Sequence, residues 1–457
     1  MKKLRVKISD NLDFIQQILN SKANDLIEIV SNEHDLLITE NIPDGSQLFV
    51  VIWDKHDISE IEKKIMSFKN TRYKYLRGFF LKNDIKFNPE TFIETIIEIK
   101  KEVNFRDELY QKAHDIESKR EYISIGSLVN VKKGTKGGFE DMYGQPRFTT
   151  LFIDKPMLKL MSNLSRILEE IKPSIVIMDK DYRDIINKII ETGGINKEKE
   201  EFDENLIKGL QEKQSTSPAL IQPILLTGET GVGKTLIARW IHEKICEFYE
   251  DKKYSGSFQE VNSSGLSPNL LESELFGHVK GAWTDARTVK PGRALLALGG
   301  VLFLDEIGDM HLDVQPKVMK FIEEKTFMPE GWPGINPFYT PLLVVAATNK
   351  NLDEEIEKGT FRKDFYTRFK HRIHVPSIEE RKGSLNVIID LILQSYGAKK
   401  KGLDYVSNEA IEKFKQIKYE DNFRGLERMV RDAAYRTLEF KLDIILPEIV
   451  EEVSKNI

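Results

Sequence analysis

From Pro223 to about residue 390, short runs of apolar residues alternate with amphipathic segments. Runs of three to six buried-type residues, such as Ile224–Leu226, VLFL at 301–304 and Leu342–Ala347, predict strands covered on both faces. Between them, apolar positions recur at helical spacing, as in Ile237, Ala238, Ile241 and Ile245. That alternation predicts a parallel sheet between helices. The first 155 residues show a looser version of the same pattern: LFVVIW (48–53) follows an Asp44-Gly45 turn, YLRGFFL (75–81) is a second apolar run, and FIETIIEIKKEV and ELYQKAHDIESK read as helices. They predict a smaller α/β domain. Beyond it come the loop VKKGTKGGFEDMYGQP (131–146), a helix around Met157–Ile171, a strand at Ser174–Met178, and a charged linker or helix at Asn196–Asn205. After the basic connector GAKKKG (397–402), the remainder reads as mostly helical.

Bulk properties narrow the class. A chain of 457 residues exceeds one core. The net charge of −5 offers no global basic field for nucleic acid or membrane. Cys246 is the single cysteine, which excludes an internal disulfide framework and a zinc ribbon; it falls on an amphipathic helix and reads as structural. No apolar run approaches the ~20 residues of a membrane span, and Asp10 and Asp13 interrupt any signal-peptide core after Met1. The expected location is the cytoplasm.

The strongest chemical signal is PILLTGETGVGKTLIARWIH. After a strand, Gly228, Glu229, Thr230, Gly231, Val232, Gly233, Lys234 and Thr235 fit a phosphate-binding loop that opens a helix. Its glycines allow backbone N–H groups to curl round phosphates at a positive helix end. Lys234 can neutralise β/γ-phosphates and the Thr235 hydroxyl can ligate magnesium. About 70 residues later, GVLFLDEI places Asp305 and Glu306 after an apolar strand; Asp305 suits the magnesium shell and Glu306 suits polarisation of an attacking water. Thr348 and Asn349 end a third strand, where polar groups can sense a γ-phosphate or simply terminate the strand.

These elements, in this order, resemble the AAA+ P-loop ATPases, and more narrowly the central domain of activators of sigma-54 RNA polymerase. The resemblance spans roughly residues 215–440, on GETGVGKT, FQEVNSSGL, ESELFGHVKGAWTDA, GGVLFLDEIGDM, AATN, GTFRKDFYTRF, PSIEER and DNFRGLE. Within the family, FGHVKGA, FIEEKTF and NFRGL carry a fainter likeness to activators of an RNA-repair operon. The resemblance to sigma-54 activators implies ATP and Mg²⁺ as cofactors, and together with the pattern along the chain it gives four expected segments: a regulatory or sensor domain at 1–155, a connector at 156–205, an ATPase core at 206–395 and a helical lid at 396–457. It further implies that Asn262 is a switch partner of Glu306. Arg362 and Arg368, six residues apart, match arginines that reach a neighbouring subunit's nucleotide, which implies a hexameric ring and a rate contribution on the order of 10³–10⁵. Arg424 matches a lid arginine that reports nucleotide state, with Gly425 where the family has Glu.

Gly281, Ala282, Trp283, Thr284, Asp285 and Ala286 (GAWTDA) match the family's GAFTGA loop, which grips the sigma factor. Trp283 keeps an aromatic, although a core role is the plainer alternative, and Asp285 adds a Cβ and a charge where the family has glycine. The short acidic segment after the lid helix leads to the expectation that no dedicated DNA-binding helix-turn-helix is present. For the N-terminal domain, two expectations stand side by side: a receiver with Asp54 and Asp10 as candidate acids, or a sensor for an unknown ligand or protein. A remodelling ATPase with a different protein partner, in stress or defence, is the alternative to sigma-54 RNA polymerase.

Overall fold

A computed structural model describes residues 3–10, 12–39, 48–53, 76–81, 89–128, 154–213, 221–284 and 286–455. The chain divides into two compact units, Met1–Tyr122 with Phe440–Leu442, and Ile123–Glu439 with Asp443–Ile457.

The first unit is built on five parallel strands in the order Ile27–Ile29, Leu4–Ile8, Leu36–Thr39, Leu48–Trp53, Leu76–Leu81. Val6, Leu36, Ile38 and Val50 are buried against Ile15 and Leu19 of helix Asp13–Lys22 and Phe92 and Ile96 of helix Pro89–Lys119. The two helical stretches read from sequence are one continuous helix. This strand order has its switch point between Leu4–Ile8 and Leu36–Thr39, where open α/β sheets bind ligands. Asp10 lies exposed just beyond that first strand. Asp54 and the 131–146 loop lie outside the described residues.

In the second unit, five parallel strands run in the order Phe258–Asn262, Val301–Asp305, Leu343–Thr348, Ile224–Thr227, His371–His374. Leu343–Thr348 is buried from end to end and Val301–Asp305 is buried up to its terminal acid, as continuous apolar runs require. Helices Lys234–Cys246 and Lys155–Thr192 are among those that pack against this sheet.

One expectation is corrected. Ser174–Met178 is no strand: it lies inside a single helix, Lys155–Thr192. The run SIVIM looks strand-like because four apolar residues lie close together, but burial follows helical spacing. Ile175, Met178 and Tyr182 face the core while Val176 and Ile177 are exposed. Pro173 is tolerated within the helix, and Asp154 caps its start by accepting from Met157 N at 3.0 Å. Asn196–Asn205 resolves into a two-strand hairpin, Ile195–Asn196 with Glu201–Phe202, followed by helix Glu204–Lys213.

The helices Leu385–Tyr396, Asn408–Gln416, Asn422–Glu439 and Pro447–Ser454 form the C-terminal bundle. GAKKKG is a 3₁₀ turn, Ala398–Lys401, between two left-handed glycines.

Candidate functional site

Because every strand of the second sheet runs the same way, its C-terminal ends share one edge. The strand Ile224–Thr227 enters that edge and turns through Gly228–Gly233 into helix Lys234–Cys246. Gly231 has φ 76°, and a Cβ there would lie 2.0 Å from the carbonyl oxygen of Asp421. Only glycine lets the lid come this close. Val232 is buried beneath the loop. The Lys234 Nζ donates to the carbonyls of Gly228 (2.8 Å) and Glu229 (3.0 Å). Burial lowers its pKa from the usual lysine value, while Glu306 and Asp305 oppose that shift. Thr235 lies on the helix's first turn, beside Lys234.

Next to the loop, Asp305 ends its strand and accepts from Glu306 N at 3.1 Å. Glu306 itself has a left-handed backbone, φ 51°, which redirects the chain at the strand end. Its Oε2 accepts from Asn349 N at 3.2 Å, and Asn349 Nδ2 donates to Thr230 Oγ1 at 2.9 Å. Three strand ends are thereby tied together. Burial raises the pKa of both Asp305 and Glu306 above ordinary carboxylates, with backbone N–H donors and Lys234 pulling the other way. Thr348 is fully buried and accepts from Lys350 N, so it shapes the turn while Asn349 faces the loop. Asn262 stands opposite Asp305 in the strand register, with its oxygen accepting from Ser264 N at 2.8 Å.

The lid contributes a residue that sequence reasoning missed. Asn422, 2% exposed, donates to Glu229 Oε2 (2.9 Å) and Thr230 O (3.0 Å) and accepts from Ile378 N (2.9 Å). Phe423 N donates to Gly231 O at 3.2 Å. The motif DNFRGLE drew attention to its arginine, but Asn tolerates the left-handed region and so fits the φ of 47° found at 422. That was the available signal. Arg424 is exposed beside Gly231, and its charge acts on both Asp305 and Lys234. Gly425 is buried against Tyr419.

Arg362 and Arg368 are held elsewhere. Arg362 makes a two-pronged pair with Asp364 (3.0 and 2.7 Å), and Arg368 pairs with Glu323 at 2.7 Å. Neither bonds to the Lys234 pocket among the described residues. In the GAWTDA segment, Gly281 N donates to Ala286 O at 2.8 Å. Trp283 is 39% exposed, which removes the core alternative, and its ring lies 4.3 Å from that of the buried His278. With Asn269, Leu270, Ala282, Glu330 and Gly331 it lines a cleft of 540 Å³. Asp285 lies outside the described residues.

No cluster of three or more His, Cys, Asp or Glu side chains suited to a metal occurs among the described residues. A magnesium–phosphate group does not require one, since magnesium keeps several waters and takes one or two protein ligands. The Thr235 hydroxyl and the partly buried Asp305 carboxylate fit that role.

A glycine-bearing phosphate loop, a lysine, two strand-end carboxylates and a lid asparagine on a parallel sheet define a P-loop ATPase fold of the AAA+ class. Residues 200–375 match the sigma-54 interaction domain, and the chain belongs to the family of AAA+ domains of sigma-54-dependent transcriptional activators. It is 37% identical over 231 residues to the DNA-binding transcriptional regulator NtrC of Rhizobium meliloti (strain 1021), covering 50% of this chain and 45% of that protein. It is 37% identical to the regulatory protein LuxO of Vibrio cholerae, over 47% of this chain and 39% of that protein. The chain thus matches less than half the length of these relatives. An uncharacterized protein in the HyuA 5′ region of Pseudomonas sp. (strain NS671) is 36% identical, over 45% of this chain and 68% of its own length. Among solved structures, NtrX from Brucella abortus in complex with ADP aligns at TM-score 0.47 and 16% identity, covering 98% of this chain and 86% of that one. No helix among the described residues is long and apolar enough to cross a membrane.

Proposed function

We propose that the chain hydrolyses ATP as a hexameric ring and uses the GAWTDA loop to remodel sigma-54 RNA polymerase in the cytoplasm, gated by its N-terminal unit. The observation that carries this reading is the tie from Glu306 Oε2 through Asn349 to Thr230 in the phosphate loop. It joins the candidate base for water to the loop that would hold the phosphates.

In this reading, backbone N–H groups of Gly228–Lys234 cradle the phosphates and Lys234 leaves its loop carbonyls to neutralise them. Thr235 and Asp305 would hold magnesium. When bound, it neutralises charge on the β- and γ-phosphate oxygens. Glu306 orients and deprotonates the attacking water, and Asn349 holds the carboxylate in place. Arg362 and Arg368 act on the neighbouring subunit's nucleotide, which accounts for their lying away from this subunit's own pocket. Arg424 and Asn422 link the nucleotide's state to the lid.

The half-exposed Trp283 beside an open cleft supports the loop as the output surface. Glu306→Gln is expected to retain ATP binding and lower turnover by ~100-fold or more. A transition-state-trapped ring should capture sigma-54 bound to promoter DNA, and Trp283→Ala should abolish capture while sparing turnover. A trapped ring that never captures sigma-54, with or without Asp285→Gly, would favour the second reading, a different protein partner. The acid at 285 is the observation behind that reading.

A further inference from the structure

Gln315 opens the helix Gln315–Glu324 and has no exposed surface. A glutamine amide buried this fully needs partners for both N–H groups and its oxygen. Gln315 has them all. Nε2 donates to Met310 O at 2.9 Å and to Thr360 O at 3.2 Å, and Oε1 accepts from Arg362 N at 2.9 Å. These partners belong to two separate stretches. Met310 closes the 3₁₀ turn Ile307–Asp309 directly after Glu306, where Glu306 O accepts from Asp309 N at 2.9 Å. Arg362 is the residue that enters helix Lys363–Arg368.

A second, more exposed limb runs beside this tether. Lys350, next to Asn349, pairs with Asp309 at 2.7 Å and reaches Glu355 at 3.8 Å. Glu355 accepts from Thr360 Oγ1 at 2.8 Å, and its carbonyl accepts from Thr360 N at 2.9 Å. Partly exposed ion pairs of this kind hold geometry weakly. The buried amide is the stiff member, because none of its bonds can be exchanged for water without opening the core.

We infer that Gln315 is a positioning residue for the trans-acting arginine: it fixes the backbone at Thr360–Arg362 relative to the turn that follows Glu306. One subunit's own hydrolysis site is thereby mechanically joined to the arginine it presents to its neighbour. The inference rests on the proposed role of Arg362 across a subunit boundary, and its test separates the two.

Gln315→Met keeps the volume and removes all three bonds. A displacement of about 1 Å at a catalytic group costs ~100-fold in rate, so kcat is expected to fall by that order. KM for ATP stays unchanged, because no bond in the Lys234 pocket is touched. The deciding experiment mixes full-length subunits. Gln315→Met subunits have a sound site and a misplaced arginine, whereas Glu306→Gln subunits have a dead site and a sound arginine. The mixture should hydrolyse ATP faster than the average of the two separate proteins, and an Arg362→Ala mixture with Glu306→Gln should do the same. If Arg362→Ala is complemented and Gln315→Met is not, Gln315 acts on its own site and the inference falls while the arginine assignment stands. If neither is complemented, the arginine assignment falls and takes the inference with it. Complementation of Gln315→Met alone would also overturn it, since the arginine would not be the group positioned. Should Gln315→Met fail to fold, Gln315→Glu replaces it: it keeps the acceptor for Arg362 N, removes the donor to both carbonyls, and is judged by the same mixing outcomes.

Discussion

Replacing Asn422 by Ala removes the clasp between lid and phosphate loop, and its cost can be worked from the contacts. The buried Ile378 N–H loses its acceptor, worth ~1–2 kcal/mol, and Thr230 O loses a donor, worth ~0.5–1 kcal/mol. The bond to Glu229 adds little, because that residue is exposed and water replaces it. Alanine also tolerates the φ of 47° less well than asparagine, adding ~1 kcal/mol. The total is about 3 kcal/mol, or ~100-fold in the local opening equilibrium. Global unfolding does not isolate a local opening of this kind. Hydrogen exchange at Phe423 N–H, which donates to Gly231 O, reads this opening directly. Protection there should fall ~100-fold in Asn422→Ala and ~30-fold in Asn422→Gly, where the backbone penalty vanishes. ATP affinity should fall in both. Equal loss in the two variants would refute the backbone contribution. Unchanged protection in both, with unchanged ATP affinity, would refute the clasp itself.

Other expectations follow from buried charge. Burial raises the proton affinity of Glu306, so turnover should rise with pH through a value above the ordinary glutamate range of ~4.3; an acid limb at or below that range would count against Glu306 as base. Lys325 is fully buried, its Nζ has no hydrogen-bond partner among the described residues, and burial lowers its pKa to about 7. The unfolded chain therefore binds more protons between that value and the free lysine value of 10.5, and stability should rise with pH across this window. Lys325→Met should abolish that dependence and stabilise the protein by ~1–3 kcal/mol at neutral pH, as melting from pH 6 to 10 would reveal. Arg381 and Asp154 form a buried pair at 2.7 Å. Arg381→Met should cost ~3–5 kcal/mol by leaving a buried charge unpaired. Adding Asp154→Asn, which keeps an acceptor for Met157 N, should recover part of it in thermal melts.

The local sequence determined the elements whose signal is contiguous. The phosphate loop was legible because its glycines, lysine and threonine act within eight residues and need a strand before and a helix after. Asp305 and Glu306 were legible for the same reason, as acids at the end of a four-residue apolar run. Tertiary structure decided what depends on contacts distant in sequence. Asn422 meets Glu229 and Thr230 across almost 200 positions. Gln315 ties Met310 to Thr360 and Arg362 by bonds that no periodicity encodes. The error at Ser174–Met178 has the same origin: a short apolar run is compatible with strand or helix, and only packing against the neighbouring core selects the face that is buried. Side-chain identity sets which bonds a residue can make, whereas the fold sets which partners come within reach.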